Sequence, residues 1–332
     1  MSEKYPALRY SDDMGGNFKN GVWNIECDPW RGFEDRIEEF KGPEYKYVWR
    51  GESCAKYVCR GQSCEETLKP SIYRDSTPND TTIRQYLYQF RKDMPGGDAL
   101  EQFLERAKKE RTPEFEETLS EYYNMIHPKA DDNDPKENYE KDFIDDIYWA
   151  IGQHHGLKTP LLDWTMDPYK ALFFAFCAWK KENNKRVIFG LAEKNRLLLK
   201  NGRLKKRYIE LLTNLNFVQR ILDSSGSPRA LKEIIRPMFD RIKAQDGIFS
   251  KSLQNENVEK HTRRCYSYYE KHRNQKIVFL IRILIPNGLR KDFLQKLEGK
   301  KITYKTMYPD LLGTVLYCNL KLDPHTRQEG RP

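Results

Sequence analysis

The chain of 332 residues lacks a long hydrophobic run: the longest, Ala171 to Trp179, falls far short of the ~20 residues a membrane-crossing helix needs. The second, Ile277 to Ile285, is interrupted by Arg282. No membrane partner is therefore expected. The opening Met1-Ser2-Glu3-Lys4-Tyr5-Pro6 carries no apolar core behind a basic segment, so no secretory signal is read and a cytoplasmic location is expected. There is no Gly-x-x-x-x-Gly-Lys phosphate loop, no Gly-x-Ser-x-Gly nucleophile elbow and no internal repeat. Cysteine is sparse and odd in number, seven from Cys27 to Cys318, which fits a reduced compartment better than a disulfide framework. Cys54, Cys59 and Cys64 recur every fifth residue; zinc sites favour closer spacing and a fourth ligand, so isolated thiols and no metal are expected.

What is present is charge and aromatic mass. Charged residues make up 32% and aromatics 13%, with 20 Tyr and a net charge of +9. That composition fits a folded, water-exposed protein rather than a disordered one. Arg263, Arg264, Lys271 and Arg273 are interleaved with Tyr266 and Tyr268. Such a stretch can hold phosphates and stack bases, or be a solvated helix face.

Residues 1–44 read as a lightly structured lead-in that Trp23, Trp30 and Phe33 tack onto the body, and 321–332 as a tail. Strand-like stretches at Tyr45 to Arg50 and Tyr57 to Arg60 each end in Arg-Gly. Helical spacing follows from Thr81 to about Asn124, then an acidic loop at 130–135. Phe143, Ile144, Ile147, Ala150, Ile151 and His154 share one face of a helix from about Tyr139 to His155, which Gly156 stops. The next strand places Thr159, Leu161, Asp163 and Thr165 on one side and Leu162 and Trp164 on the other. Asp167 and Pro168 open an apolar, central helix. Further on, a strand is expected at Arg186 to Ala192, helices at Leu204 to Asp223 and Arg229 to Ala244, and β-structure at Lys276 to Ile285. A helix near Leu289 to Leu297, a short strand around Ile302 and a helix after Pro309 complete the chain. The fold class is α+β, a mixed central sheet with flanking helices and helical insertions at about 81–138 and 195–244.

The segment Gln153-His154-His155-Gly156-Leu157-Lys158-Thr159-Pro160-Leu161-Leu162-Asp163-Trp164-Thr165 sets polar groups into what otherwise reads as core. Buried, they must be paired or used. Gln153, His154, Thr159, Asp163 and Thr165 either satisfy backbone groups at a strand end or line a pocket. An Arg-Gly strand end opposite them would add a guanidinium for phosphate or carboxylate and a glycine that lets a ligand approach.

Those motifs, with Cys59-Arg60-Gly61-Gln62, Leu68-Lys69-Pro70-Ser71-Ile72-Tyr73-Arg74, Gln245-Asp246-Gly247-Ile248-Phe249 and Tyr308-Pro309-Asp310-Leu311-Leu312-Gly313, resemble the FRG domain family over about 45–320. Cys59 replaces the phenylalanine that names the family. Of the two Arg-Gly pairs, Arg60-Gly61 precedes the Pro-Ser-Ile-Tyr-Arg segment at the suitable distance and is the one assigned, over Arg50-Gly51. The family's layout is similar to that of ADP-ribosyltransferase folds. That resemblance implies NAD as substrate, cleaved or transferred to a nucleic-acid or protein acceptor, in the setting of a toxin or antiviral effector. Arg60, Gly61, Gln62, Thr165, Gln153 and His154 would hold NAD, and Asp163 or Asp310 would supply the catalytic carboxylate. The alternative is a non-catalytic module that binds a nucleotide or a nucleic acid. A clear glutamate on a late strand is missing.

Overall fold

The computed structural model describes residues 8–27, 30–40, 47–52, 68–74, 78–113, 115–117, 119–120, 137–178, 185–192, 209–212, 229–252, 257–273 and 276–323. Its centre is a mixed sheet of β1 (Asn17–Lys19), β2 (Val22–Glu26), β3 (Tyr47–Glu52), β4 (Leu161–Thr165), β5 (Arg186–Ala192), β6 (Ile209–Leu212), β7 (Gly247–Ser252) and β8 (Leu280–Ile285). The order across this eight-stranded sheet is β1-β2-β8-β5-β3-β4-β7-β6. The β2–β8 pair is parallel and the other neighbours are antiparallel. Around it lie α1 (Trp30–Glu39), α2 (Asp80–Asp93), α3 (Gly97–Glu110), α4 (Glu137–His154), α5 (Pro168–Cys177), α6 (Arg229–Ala244), α7 (Val258–Arg273), α8 (Arg290–Gly299), α9 (Tyr304–Met307) and α10 (Leu311–Leu322). The class is α+β, as the sequence implies.

The central strands β5 and β8 are buried at every residue, which is why they read as near-continuous apolar runs rather than alternating ones. On one face Trp49, Ile188, Ile281 and Ile283 pack with Ala171, Phe176, Phe33 and Phe293 from α5, α1 and α8. On the other, Leu162, Trp164, Val187, Phe189 and Ile248 meet Val258 of α7 and Leu68. A third cluster joins α2, α3, α4 and α6 to Leu161 and Phe249.

α5 is buried at the centre of this arrangement, and its ends are chemically defined. Asp167 caps it by accepting from Tyr169 N at 2.8 Å, with Pro168 at the first position. At the other end its otherwise unpaired carbonyls meet buried arginines. Arg186 donates to Ala175 O and Ala178 O at 2.8 and 3.0 Å, and Arg290 to Phe176 O and Cys177 O at 2.9 and 3.1 Å. Their charges also complement the negative end of the helix dipole.

Four expectations change. Within the 1–44 lead-in, β2 is a fully paired strand beside β8 with Trp23 wholly buried, a partnership more than 250 residues apart in sequence that no local pattern announces. In the stretch expected to be helical from Leu204 to Asp223, Ile209–Leu212 is a strand, because β7 offers an edge whose ladder it completes. Ile302 is not in a strand; its N–H closes onto Leu297 O at 2.9 Å, ending α8, and its side chain joins the core cluster that holds Phe293, Leu297 and Met307. Of Lys276 to Ile285, only Leu280–Ile285 forms the strand.

Candidate functional site

β3 and β4 share a single register pair, Trp49 with Thr165. Every other neighbouring ladder among β2 to β8 runs longer, so the sheet parts beyond this pair and a cavity of about 430 Å³ opens there. That size falls within the range of small-molecule sites. Its walls come from β3, α4, β4, α5, α6, β7 and the α9–α10 junction.

At the parting, Arg50 reaches across to β4: its Nη1 donates to the Asp163 main-chain O at 2.6 Å and stands 3.9 Å from Asp163 Oδ2. The Asp163 side chain is 63% exposed and so available to a ligand. Gln153, in the last turn of α4, donates from Nε2 to Asp163 Oδ1 at 2.7 Å, and its Oε1 accepts from the Thr159 hydroxyl. Thr165 braces the strand end, its hydroxyl donating to Gln245 O at 2.7 Å and accepting from Asp167 N at 3.1 Å.

The opposite wall carries Arg241 of α6. Its guanidinium lies 4.9 Å from the Tyr308 ring centroid, and Nη2 pairs with Asp310 Oδ2 at 2.9 Å. Its Nε is fully buried without a hydrogen-bond partner among the described residues. Asp310 also caps α10, accepting from Gly313 N at 3.0 Å. Burial alone would raise the Asp310 carboxyl; the bonds from Arg241 and Gly313 override it and hold it below the usual carboxylate range. Tyr308 is pushed up to about 12, chiefly by burial, and so is neutral.

His154 sits between these walls, half-buried. Burial, then the charge of Arg241 and the ring of His155, push it down to about 4 against the opposing pull of Asp310. It is a neutral imidazole at pH 7. Because its folded value lies below the unfolded one of ~6.5, its burial costs stability only as pH falls from about 6.5 toward 4. His154→Gln should flatten the fall of Tm over that window while leaving Tm above pH 7 little changed, as read by thermal melts in a pH series.

Of the residues singled out from sequence, Gln153, His154, Asp163, Thr165 and Asp310 converge on or beside this cavity. Arg60, Gly61 and Gln62 lie outside the described residues. Among the described residues, the Arg-Gly pair on the cavity is Arg50-Gly51. Arg241 and Tyr308 are additions; Arg241, in the last turn of α6, stands four residues before Gln245 of the Gln245-Asp246-Gly247 motif, and both line the cavity.

The basic, tyrosine-bearing helix α7 is a different surface. Tyr266 is 2% exposed, packed on Gly21, Phe18 and Phe279, with its hydroxyl on Glu270 at 3.1 Å, so its ring is unavailable for stacking a base. Arg263 forks onto the buried Glu259, which also pairs with Arg282, and Arg264 lies 3.3 Å from His261. Of Tyr268, Lys271 and Arg273 the helical backbone alone is described. α7 begins on the side of the sheet that carries Leu162 and Trp164, opposite Asp163.

The fold is an α+β domain with a cavity at a parting of its sheet. Residues 55–184 match the family model of the FRG domain, and over that stretch the chain carries an FRG domain. The match contains Gln153, Thr159, Asp163 and Thr165 as well as Arg60-Gly61; Arg50, Arg241, Tyr308 and Asp310 lie beyond it. No curated protein and no solved structure matches the chain. Among the described residues no helix is long and apolar enough to cross a membrane.

Proposed function

We propose that the cavity binds NAD and cleaves its nicotinamide–ribose bond, passing the ADP-ribosyl group to water or to an acceptor. The observation that carries this reading is the carboxylate of Asp163 set 3.9 Å from Arg50 at the mouth of the parted strands, with Arg241 on the facing wall. Two guanidinium groups suit a diphosphate. An exposed, oriented carboxylate suits the positive charge that develops on the ribose. The C1′–N bond breaks with its electron pair leaving on nicotinamide; the oxygen or nitrogen of the acceptor bonds to C1′ and releases its proton.

The arrangement also parallels an ADP-ribosyltransferase layout: an Arg-Gly strand in β3, then a threonine-ending strand, β4, that leads into the buried α5. Asp163 is preferred to Asp310 as the reacting carboxylate, since Asp310 is engaged as helix cap and partner of Arg241. A toxin or antiviral effector role goes with this reading and would appear as expression toxicity that depends on Asp163.

A second reading, a nucleotide- or nucleic-acid-binding module without chemistry, is favoured by the lack of any glutamate among the described residues that line the cavity. Incubation with labelled NAD and RNA, DNA or protein acceptors separates the two. Nicotinamide release that Arg50→Ala lowers by ~10²-fold is expected. If wild-type protein releases none with any acceptor, the enzyme reading falls; binding of RNA that weakens with salt would then support the module.

A further inference from the structure

The amide of Gln153 is engaged at both ends, and its orientation follows from a residue behind it. Thr159 is completely buried, and its hydroxyl accepts from Leu161 N at 3.3 Å. The hydroxyl donates its one proton to Gln153 Oε1, the amide end turned away from the acceptor-only carboxylate of Asp163. That leaves Gln153 Nε2 to face Asp163, where it donates to Oδ1 at 2.7 Å. Oδ1 is thus occupied, and Oδ2 is left on the side of Arg50. Thr159 is itself clamped from behind: its N–H donates to Ser71 Oγ at 3.0 Å and its carbonyl accepts from Ile72 N at 3.2 Å. Two separate sequence motifs, Pro70-Ser71-Ile72 and Lys158-Thr159-Pro160, meet here.

We infer that Ser71, Thr159 and Gln153 form a positioning relay that sets the rotamer of Asp163 and presents its Oδ2 to the bound ligand. This rests on the reading of Asp163 as the working carboxylate and gives Gln153 a role other than holding the ligand. An exposed aspartate left to itself samples its staggered rotamers and both carboxylate faces. A carboxylate held at one oxygen by an amide that is itself anchored at its other end is pre-oriented, and pre-orientation is a large part of what a site contributes to rate. Without the Thr159 hydroxyl, Gln153 Oε1 loses its donor, and the side chain is held at its Asp163 end alone.

The test follows the Gln153 side-chain amide by ¹⁵N–¹H NMR in wild type, Thr159→Val, Thr159→Ser and Asp163→Asn, with Gln153→Leu to assign the resonance. Asp163→Asn, which removes the charge of the acceptor on Nε2, should move the resonance from its wild-type position. Thr159→Val should speed its exchange at least tenfold, and Thr159→Ser should restore it. An amide indifferent to both Asp163→Asn and Thr159→Val overturns the relay, whether or not the protein turns over NAD. If nicotinamide is released, Gln153→Leu, its folding checked by a thermal melt, should lower kcat at least tenfold with KM within twofold. Unchanged kcat would equally overturn it. Failure of NAD turnover in wild type removes the enzyme reading alone, since the amide resonance still decides the relay.

Discussion

Gly51→Ala should destabilise the fold by more than the ~1–3 kcal/mol usual for overpacking. A Cβ at Gly51 would lie 1.7 Å from the Ala171 carbonyl oxygen and 2.7 Å from Ala175 N. Both are backbone atoms of α5, and that helix is fixed at one end by its Asp167 cap and at the other by Arg186 and Arg290. Neither a rotamer change nor a small shift can relieve the clash; strand and helix must separate, and the contacts among Trp49, Ala171 and Phe176 go with them. Gly190→Ala is the control. Its Cβ would meet the Trp49 ring at 2.7 Å, a side chain that can give way, so a smaller loss is expected. Urea denaturation followed by tryptophan fluorescence compares the two. Equal midpoints for Gly51→Ala and wild type would show that α5 does not sit against β3 as described. The result also bears on how the Arg-Gly pair works: at Gly51 it is a helix that approaches the backbone, and Arg50 beside it that faces the ligand space.

What the sequence discloses are the elements whose periodicity and ends are local. α4, β4, α5, β5 and α6 fall where apolar spacing, Gly156, Asp167 and Pro168 put them, and Thr159, Asp163 and Thr165 occupy one side of their strand segment as a period of two requires. Hidden are the relations set by distant partners. β2 joins β8 only because the sheet has an edge to fill there, and β6 is a strand only because β7 pairs with it. The parting between β3 and β4 has no sequence signature at all, since it arises from where a ladder stops. Arg241 was obscured for a related reason: within the amphipathic α6 it reads as one more solvent-facing cation, and only the packing of α6 beside Tyr308 and Asp310 gives it a role. Tyr266 shows the reverse error, an aromatic in a basic stretch that is core because Gly21 leaves room for its ring.

Asp163→Asn should leave the melting temperature close to that of wild type and reduce nicotinamide release by ~10²–10³-fold, the usual weight of one aligned electrostatic group. The stability half follows from exposure: with 63% of the side chain in solvent, the pair with Arg50 at 3.9 Å is of the kind worth ~0–1 kcal/mol. Asparagine also retains an oxygen that can accept from Gln153, so the local geometry has no reason to change. The rate half follows from charge. A carboxylate beside the ribose stabilises the cationic transition state, and a neutral amide does not. Binding carries the opposite sign, which makes this substitution the sharper discriminator between an enzyme and a recognition module. A phosphate drawn in by Arg50 and Arg241 is repelled by Asp163, so removing that negative charge should tighten ADP-ribose binding, measured by calorimetry at low salt. An enzyme trades that affinity for rate. If Asp163→Asn binds ADP-ribose more tightly and loses turnover, Asp163 acts on the reaction; if it binds more tightly and no turnover exists to lose, the cavity is a recognition site whose aspartate limits its affinity for anions.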